Sequence, residues 1–134
     1  MTTTASAPID LGLLWLRLGG SALLCYVHGW PKLLHYHQEL ARIEDPFGLG
    51  PTVSMASALV AELLCPLLVA SGFATRLACL PVLLVLAVAM LIVHPDWSIA
   101  QGQFGWLLMI IFGGVGLCGP GRYSLDALHR RAGG

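Results

Sequence analysis

Long apolar runs separated by short polar connections dominate the pattern of hydrophobic and polar positions along the chain. Each run approaches the roughly 20 residues that a helix needs to cross a hydrocarbon core about 30 Å thick. The runs cover residues 11–30, 52–73, 76–94 and 104–118. A lone strand would leave its backbone polar groups unpaired in lipid, so we expect each run to be a helix. The pattern predicts an all-α fold, an integral membrane four-helix bundle that forms a single domain over residues 1–134.

The connections between the runs support this division. Glycine and proline cluster in residues 46–51, before the second run, and Gly72 lies in a short link that predicts a tight helical hairpin. The loop segment LLHYHQELARIE is amphipathic and predicts a short helix at the membrane interface. The tail, residues 122–131, offers Ser124 as an N-cap and predicts a short amphipathic C-terminal helix on the membrane surface.

The composition agrees with a membrane location. Of the 134 residues, 57% are hydrophobic and only 10% are charged, and the charges sum to zero. Soluble domains carry about 25% charged residues, so this chain lacks the polar surface that water requires. The lipid bilayer is therefore the predicted environment. Nucleic acid is excluded as a partner by the same numbers, because binding phosphates needs clustered lysine and arginine.

The distribution of lysine and arginine outside the runs predicts the orientation. Four arginines fall on the side of the hairpin and the C-terminus, and two cationic residues fall on the opposite side. The first group is Arg76, Arg122, Arg130 and Arg131, and the second is Lys32 and Arg42. Cytoplasmic loops carry the excess of positive charge, so both termini are predicted to lie in the cytoplasm.

Two charged residues, Arg17 and Glu62, interrupt the apolar runs. Each costs about 2.5 to 3.5 kcal/mol at the centre of a membrane helix, so each needs a partner or water. At 100° per residue, His28 and Lys32 lie on the same side of the first helix as Arg17. We expect this polar face to meet Glu62 in a buried ion pair with Arg17. Such a pair either sets helix register only or provides a carboxylate for proton exchange.

His28 and His94 are predicted at the outer ends of two helices that run in the same direction. Two such rings can ligate a metal or haem or hydrogen-bond a quinone carbonyl, although histidines at helix ends are more often simply interfacial. No catalytic residue is assigned. The candidate polar intramembrane site consists of Arg17, His28, Lys32, Glu62 and His94.

The other histidines and the cysteines do not predict a metal site. His35 and His37 would point about 200° apart on a helix and share no face. The four cysteines fall one in each run, without a C-x-x-C pair, and are expected to pack in the core.

Several short segments follow one another in a characteristic order and spacing over nearly the whole chain. They are Arg17 followed by H-G-W-P-K-L (28–33), P-F-G-L-G-P (46–51), Glu62, G-F-A-T-R (72–76) and G-P-G-R-Y-S-L-D (119–126). Together they resemble the DoxX family of small bacterial and archaeal membrane proteins. Matching residue by residue adds Arg76, Arg122 and Asp126 to the polar positions, and the family supplies no agreed catalytic role for them.

The resemblance implies a multi-pass protein of the cytoplasmic membrane that is associated with redox systems. Members are linked to quinone-dependent thiosulfate oxidation and to partners that handle thiols and superoxide. The expected function is therefore a redox-associated membrane subunit linked to the quinone pool, at most a subunit of an oxidoreductase, with quinone as the candidate cofactor. A protein partner or a second copy of the chain is expected to complete it.

Two other functions remain open at the level of the sequence. The chain is alternatively a non-catalytic membrane anchor or assembly factor, whose cationic tail docks a partner. It is also compatible with a small-solute or metal exporter in which Glu62 couples to protons. Four helices are few for a transporter, so that function would require an oligomer.

Overall fold

The computed structural model describes residues 7–134, and this part of the chain is helical throughout, without strands. The helices in chain order are α1 (Ala7–Leu34), α2 (Tyr36–Arg42), α3 (Pro51–Ser71), α4 (Thr75–Val93), α5 (Gln103–Cys118) and α6 (Leu125–Ala132). Helix α1 is the longest of these and includes the H-G-W-P-K-L segment. The first six residues of the predicted domain lie outside the described part.

Within the described residues, α1, α3 and α4 are long and apolar enough to cross a membrane. Helix α5 is also apolar but has 16 residues, which is about 24 Å at 1.5 Å per residue. The apolar runs 52–73, 76–94 and 104–118 coincide closely with α3, α4 and α5. The first run, 11–30, lies within α1, which continues for four residues beyond it at each end.

Each of the three long helices widens to a π-helical turn, at Cys25–Gly29, Val60–Leu64 and Ala89–Val93. A proline follows two residues after each turn: Pro31, Pro66 and Pro95. A proline ring clashes with the carbonyl group four residues earlier and cannot donate to it. In α1 and α3 the π turn accommodates this mismatch and the helix continues, whereas α4 ends with its π turn at Val93, before Pro95.

The core lies where α3, α4 and α5 pack against the middle of α1. Its fully buried members include Leu24, Val69, Val82, Phe112 and Val115. Large apolar side chains also cover the outside of the molecule, as expected of a protein surrounded by lipid. Among the most exposed are Trp15, Tyr26, Ile99, Ile110 and Leu117.

Asp45 shapes the loop that leads into α3. Its carboxylate accepts hydrogen bonds from the amide groups of Leu49 and Gly50, both at 2.8 Å, and from the Ser54 hydroxyl at 3.0 Å. The amide groups of Gly50 and Leu49 hold the pKa of Asp45 below its usual value. The carboxylate thus orders the glycine-rich loop and the first turn of the helix.

The interfacial and tail helices form where the sequence predicts helices. Helix α2 occupies the centre of the LLHYHQELARIE segment, whose first two leucines belong to α1. The Ser124 hydroxyl caps α6 by accepting from the Ala127 amide at 3.2 Å, which confirms the predicted N-cap. Leu125 and Leu128 remain exposed on this helix.

Candidate functional site

An ion pair between Lys32 and Glu62 joins α1 to α3. Lys32 Nζ lies 2.5 Å from Glu62 Oε2, and the two side chains are 18% and 13% exposed. Glu62 is near the middle of α3, whereas Lys32 is near the end of α1 and reaches back along it. The pair keeps both charged groups largely out of solvent.

His28 lies one turn before Lys32 and shares its helix face. The Lys32 ammonium is 3.4 Å from the His28 carbonyl oxygen. The imidazole ring packs against Phe104 of α5, with 5.5 Å between ring centroids. His28, Lys32 and Glu62 therefore form one half-buried polar cluster, which we call the inner cluster.

Gly29 and Glu62 bring the π turns of α1 and α3 into contact beside this cluster. A Cβ atom at Gly29 would overlap the Glu62 carbonyl oxygen. That oxygen cannot accept from the amide four residues later, because position 66 is proline. A Cα–H group of glycine can approach a carbonyl oxygen closely. The glycine and the proline thus fix the distance between the two helices at the inner cluster.

Arg17 is not part of this cluster, and the predicted ion pair between Arg17 and Glu62 is wrong. The guanidinium group is buried and donates to four carbonyl oxygens. The acceptors are Val69 (2.9 Å), Ala70 (2.9 Å), Pro120 (2.7 Å) and Tyr123 (3.0 Å). Val69 and Ala70 lie at the C-terminus of α3, where the helix dipole attracts a cation, and the Val69 oxygen also accepts from the Gly72 amide at 3.1 Å. Arg17 therefore joins α1, the end of α3 and the loop before α6.

Two carboxylates complete the end of the molecule around Arg17. Asp126 accepts hydrogen bonds from the amide groups of Ala74 (2.8 Å) and Thr75 (3.0 Å) at the start of α4. Partial burial raises the pKa of Asp126, but these hydrogen bonds outweigh burial and hold it below its usual value. Asp10 of α1 is buried and accepts from the Arg122 amide at 3.0 Å. Both carboxylates fasten the tail to the helices.

The contacts of His94 are with residues outside the inner cluster. Its ring stacks on Trp97 with 3.8 Å between centroids and an interplanar angle of 8°. Nε2 is 3.7 Å from Glu44 Oε1 in the exposed loop after α2. The expectation that His28 and His94 share one site receives no support from these contacts, since each ring packs on a different aromatic residue.

The remaining family-matched arginines are exposed. Arg76 Nη2 donates weakly to the Leu117 carbonyl oxygen at 3.4 Å. The Arg122 guanidinium lies over the Tyr123 ring at 5.4 Å. Of the cysteines, Cys65 and Cys79 are buried in the core as predicted, whereas Cys118 is exposed.

Three features of the site were missed from the sequence. The π turns had a visible signal, because a proline follows each of them, although Pro81 lies in α4 without such a turn. Asp10 and Asp45 were not singled out. Asp45 precedes a glycine-rich loop and a helix-starting proline, which is a recognisable capping context. Nothing local to Asp10 indicates that it contacts the tail, 112 positions later.

The arrangement contains two separate polar regions. The inner cluster combines an ammonium, a carboxylate and an imidazole between three helices, and these groups can hydrogen-bond a ligand and exchange protons. The Arg17 region satisfies its donors with carbonyl oxygens of the protein and has the character of a structural junction. Chemistry is therefore expected at the inner cluster.

The helices and their apolar surface define a multi-pass helical membrane protein. The sequence model of the DoxX family matches residues 12–95, more than half of the chain, and the chain belongs to this family. The matched segment includes every residue of the inner cluster and ends before the tail with Arg122 and Asp126. No curated protein and no solved structure matches the chain.

Proposed function

We propose that this DoxX protein is the membrane subunit of a redox system, linked to the quinone pool and working with a partner oxidoreductase. The observation that carries the proposal is the inner cluster. Its Lys32–Glu62 pair is largely buried between helices, and His28 lies beside it. Ionisable groups held in lipid are costly and are usually retained for function.

The chemistry of the cluster suits a quinone headgroup. The Lys32 ammonium is a donor for a carbonyl oxygen of the ring, and Phe104 provides an aromatic surface next to His28. Reduction of a quinone to a quinol takes two electrons and two protons. The electrons would come from the partner oxidoreductase, and Glu62 and His28 would relay two protons taken up from water to the two oxygens.

The proposed topology has four crossings, with both termini in the cytoplasm. Helix α5 packs along α4 in the core, and its apolar length approaches the thickness of the bilayer. Arg76 in the first turn of α4 and the three arginines of the tail lie at the hairpin end, which favours the cytoplasmic side for that end. Reporter fusions to the C-terminus and to the loop at residues 43–50 test the orientation.

The Glu62→Gln variant tests the proposed site. It removes the negative charge and preserves the size of the side chain. We expect normal accumulation in the membrane, at least a ten-fold loss of quinone retained after purification, and loss of the quinone-dependent activity of the partner. Glu44→Gln is the matched control, because Glu44 is 58% exposed and outside the inner cluster.

Two results would contradict the proposal. The first is that purified wild-type protein retains no quinone and that deleting the protein leaves the quinone-dependent activity of the membrane unchanged. A Glu62→Gln protein that fails to accumulate assigns the carboxylate to structure instead.

A non-catalytic anchor or assembly factor is the second candidate function. It is favoured by the tail helix, which Asp126 fastens to the hairpin while Arg130 and Arg131 remain exposed. Deleting the tail would also remove Tyr123, one of the four acceptors of Arg17, so charge reversal is the better test. If the double variant Arg130→Glu, Arg131→Glu loses the partner in pull-down and Glu62→Gln does not, the anchor function is supported.

A further inference from the structure

A groove opens at the end of the molecule opposite the inner cluster. It lies between the α3–α4 hairpin, the end of α5 and the tail helix, and it encloses about 740 Å³. Phe73 and Leu77 contribute apolar surface. Arg76, His129 and Arg130 contribute the polar rim. Phe73, Arg76 and Leu77 belong to the hairpin and the start of α4, whereas His129 and Arg130 belong to α6. The groove therefore exists only when α6 is docked against the hairpin.

A second, more apolar cavity of about 510 Å³ continues from it along α4 and α5. The two cavities share Arg76 and Leu77. Leu80 and Leu83 line the second cavity from α4, and Gly113 lines it from α5. From Arg76 to Leu83 the helix rises about 10 Å. A Cβ atom at Gly113 would meet no other atom within 4 Å, so the space beside this glycine is open.

The charge of the groove is positive overall. Arg76 and Arg130 contribute two positive charges, and Asp126 contributes one negative charge. The Asp126 carboxylate is already occupied by the amide groups of Ala74 and Thr75. Among the described residues Arg76 makes one weak hydrogen bond, at 3.4 Å, and its guanidinium lies beside Gly119 of the groove lining. These three residues leave one positive charge, which complements a single phosphodiester.

We propose that the groove binds an anionic diacyl phospholipid of the surrounding bilayer. The phosphate group contacts Arg76 and Arg130 at the helix ends, where lipid headgroups lie. One acyl chain runs along Leu80 and Leu83, beside Gly113. A phosphate-binding rim that is continuous with an apolar channel matches the two halves of such a lipid. The proposal is independent of the quinone site, because His28, Lys32 and Glu62 do not line either cavity.

Binding of phosphatidylglycerol to the purified full chain in detergent tests this proposal, with native mass spectrometry as the readout. Phosphatidylcholine serves as the neutral lipid, and inorganic phosphate serves as the headgroup charge without acyl chains. We expect phosphatidylglycerol to bind at one site, and excess phosphatidylcholine or inorganic phosphate not to displace it.

Two pairs of variants separate the headgroup from the acyl chain. Gly113→Leu fills the apolar channel, whereas Gly114→Leu adds the same side chain at a neighbouring open position outside the lining. Arg130→Gln removes a rim charge, whereas Arg131→Gln removes an exposed charge outside the lining. We expect at least about a ten-fold loss of affinity for Gly113→Leu and about a five-fold loss for Arg130→Gln. Both control variants should bind as the wild type does.

Three outcomes would overturn the proposal. Equal losses in Arg130→Gln and Arg131→Gln would indicate general attraction between the tail and anionic lipid. Equal binding by Gly113→Leu and Gly114→Leu would exclude the acyl channel, and displacement by inorganic phosphate would reduce the site to a phosphate site. Circular dichroism of each variant establishes that a loss of binding is not a loss of fold.

Discussion

Gly29 of α1 lies directly against the carbonyl group of Glu62 in α3. The contact joins two π-helical turns, and it leaves no room for a side chain at position 29. Because Glu62 also carries the carboxylate of the inner cluster, the same residue sets the helix spacing through its backbone and the electrostatics through its side chain. A change at Gly29 therefore affects the position of the Glu62 charge relative to Lys32.

The Gly29→Ala variant is expected to push α1 and α3 apart. A methyl group in this contact would cost about 1 to 3 kcal/mol in the free energy of unfolding, as overpacking does elsewhere. Unfolding in mixed micelles, followed by circular dichroism, measures the loss. Gly19→Ala is the matched control, because a Cβ there meets no other atom within 4 Å. Equal stability of the two variants would show that the close contact is not maintained.

The Arg17→Lys variant is expected to lower the free energy of unfolding by about 3 kcal/mol or more. Lysine retains the charge but cannot reach carbonyl oxygens on α3 and on the tail loop at the same time, as the guanidinium does. Limited proteolysis of the tail and thermal unfolding in detergent measure the effect. The control is Arg122→Lys, whose side chain is exposed and whose contribution to Asp10 comes from the backbone amide. A tail as resistant as that of the wild type would refute the junction role.

A double-mutant cycle with Lys32→Met and Glu62→Gln measures the coupling inside the inner cluster. Since both side chains are largely buried, we expect a coupling free energy of about 0.5 to 3 kcal/mol. The comparison cycle uses His94→Gln and Glu44→Gln, whose partners are 3.7 Å apart and more exposed. Coupling near zero is expected there. If the two cycles give the same value, the Lys32–Glu62 pair is not a distinct electrostatic unit.

The stability contributed by Asp126 is expected to depend on pH. Its pKa in the folded protein lies below the ordinary value of 3.8, so the unfolded chain binds the proton more readily. The contribution is fully present above pH 4 and is lost as the pH falls through the lowered pKa. Since the carboxylate is partly exposed, Asp126→Asn should cost only about 1 kcal/mol at pH 7.

Unfolding of the Asp126→Asn variant and the wild type at pH 7 and at pH 3 checks this sign. The difference between them should shrink at the lower pH. Asp96→Asn, in an exposed turn, is the control and should change neither value. A difference that grows toward low pH would contradict the direction of the pKa shift.

Helix positions and the membrane character follow from the sequence by itself. A helix that crosses the membrane requires about 20 predominantly apolar residues in succession. This is a local property, so a sliding hydropathy window detects it. The same holds for the Ser124 cap and for the proline-rich entry to α3, since both act within one helical turn. Family membership was also recognisable from the sequence, because its short motifs lie in a characteristic order along the chain.

Only the tertiary structure decided which charges meet. Helix periodicity places Arg17, His28 and Lys32 on one side of α1, but it carries no information on the height at which α3 lies beside them. The structure pairs Glu62 with Lys32 and surrounds Arg17 with backbone carbonyl oxygens from two distant segments. Every residue has a backbone carbonyl group, so the residue types do not show which carbonyl oxygens act as acceptors. An arginine that donates to four carbonyl oxygens therefore cannot be distinguished, from the sequence, from one that pairs with a carboxylate.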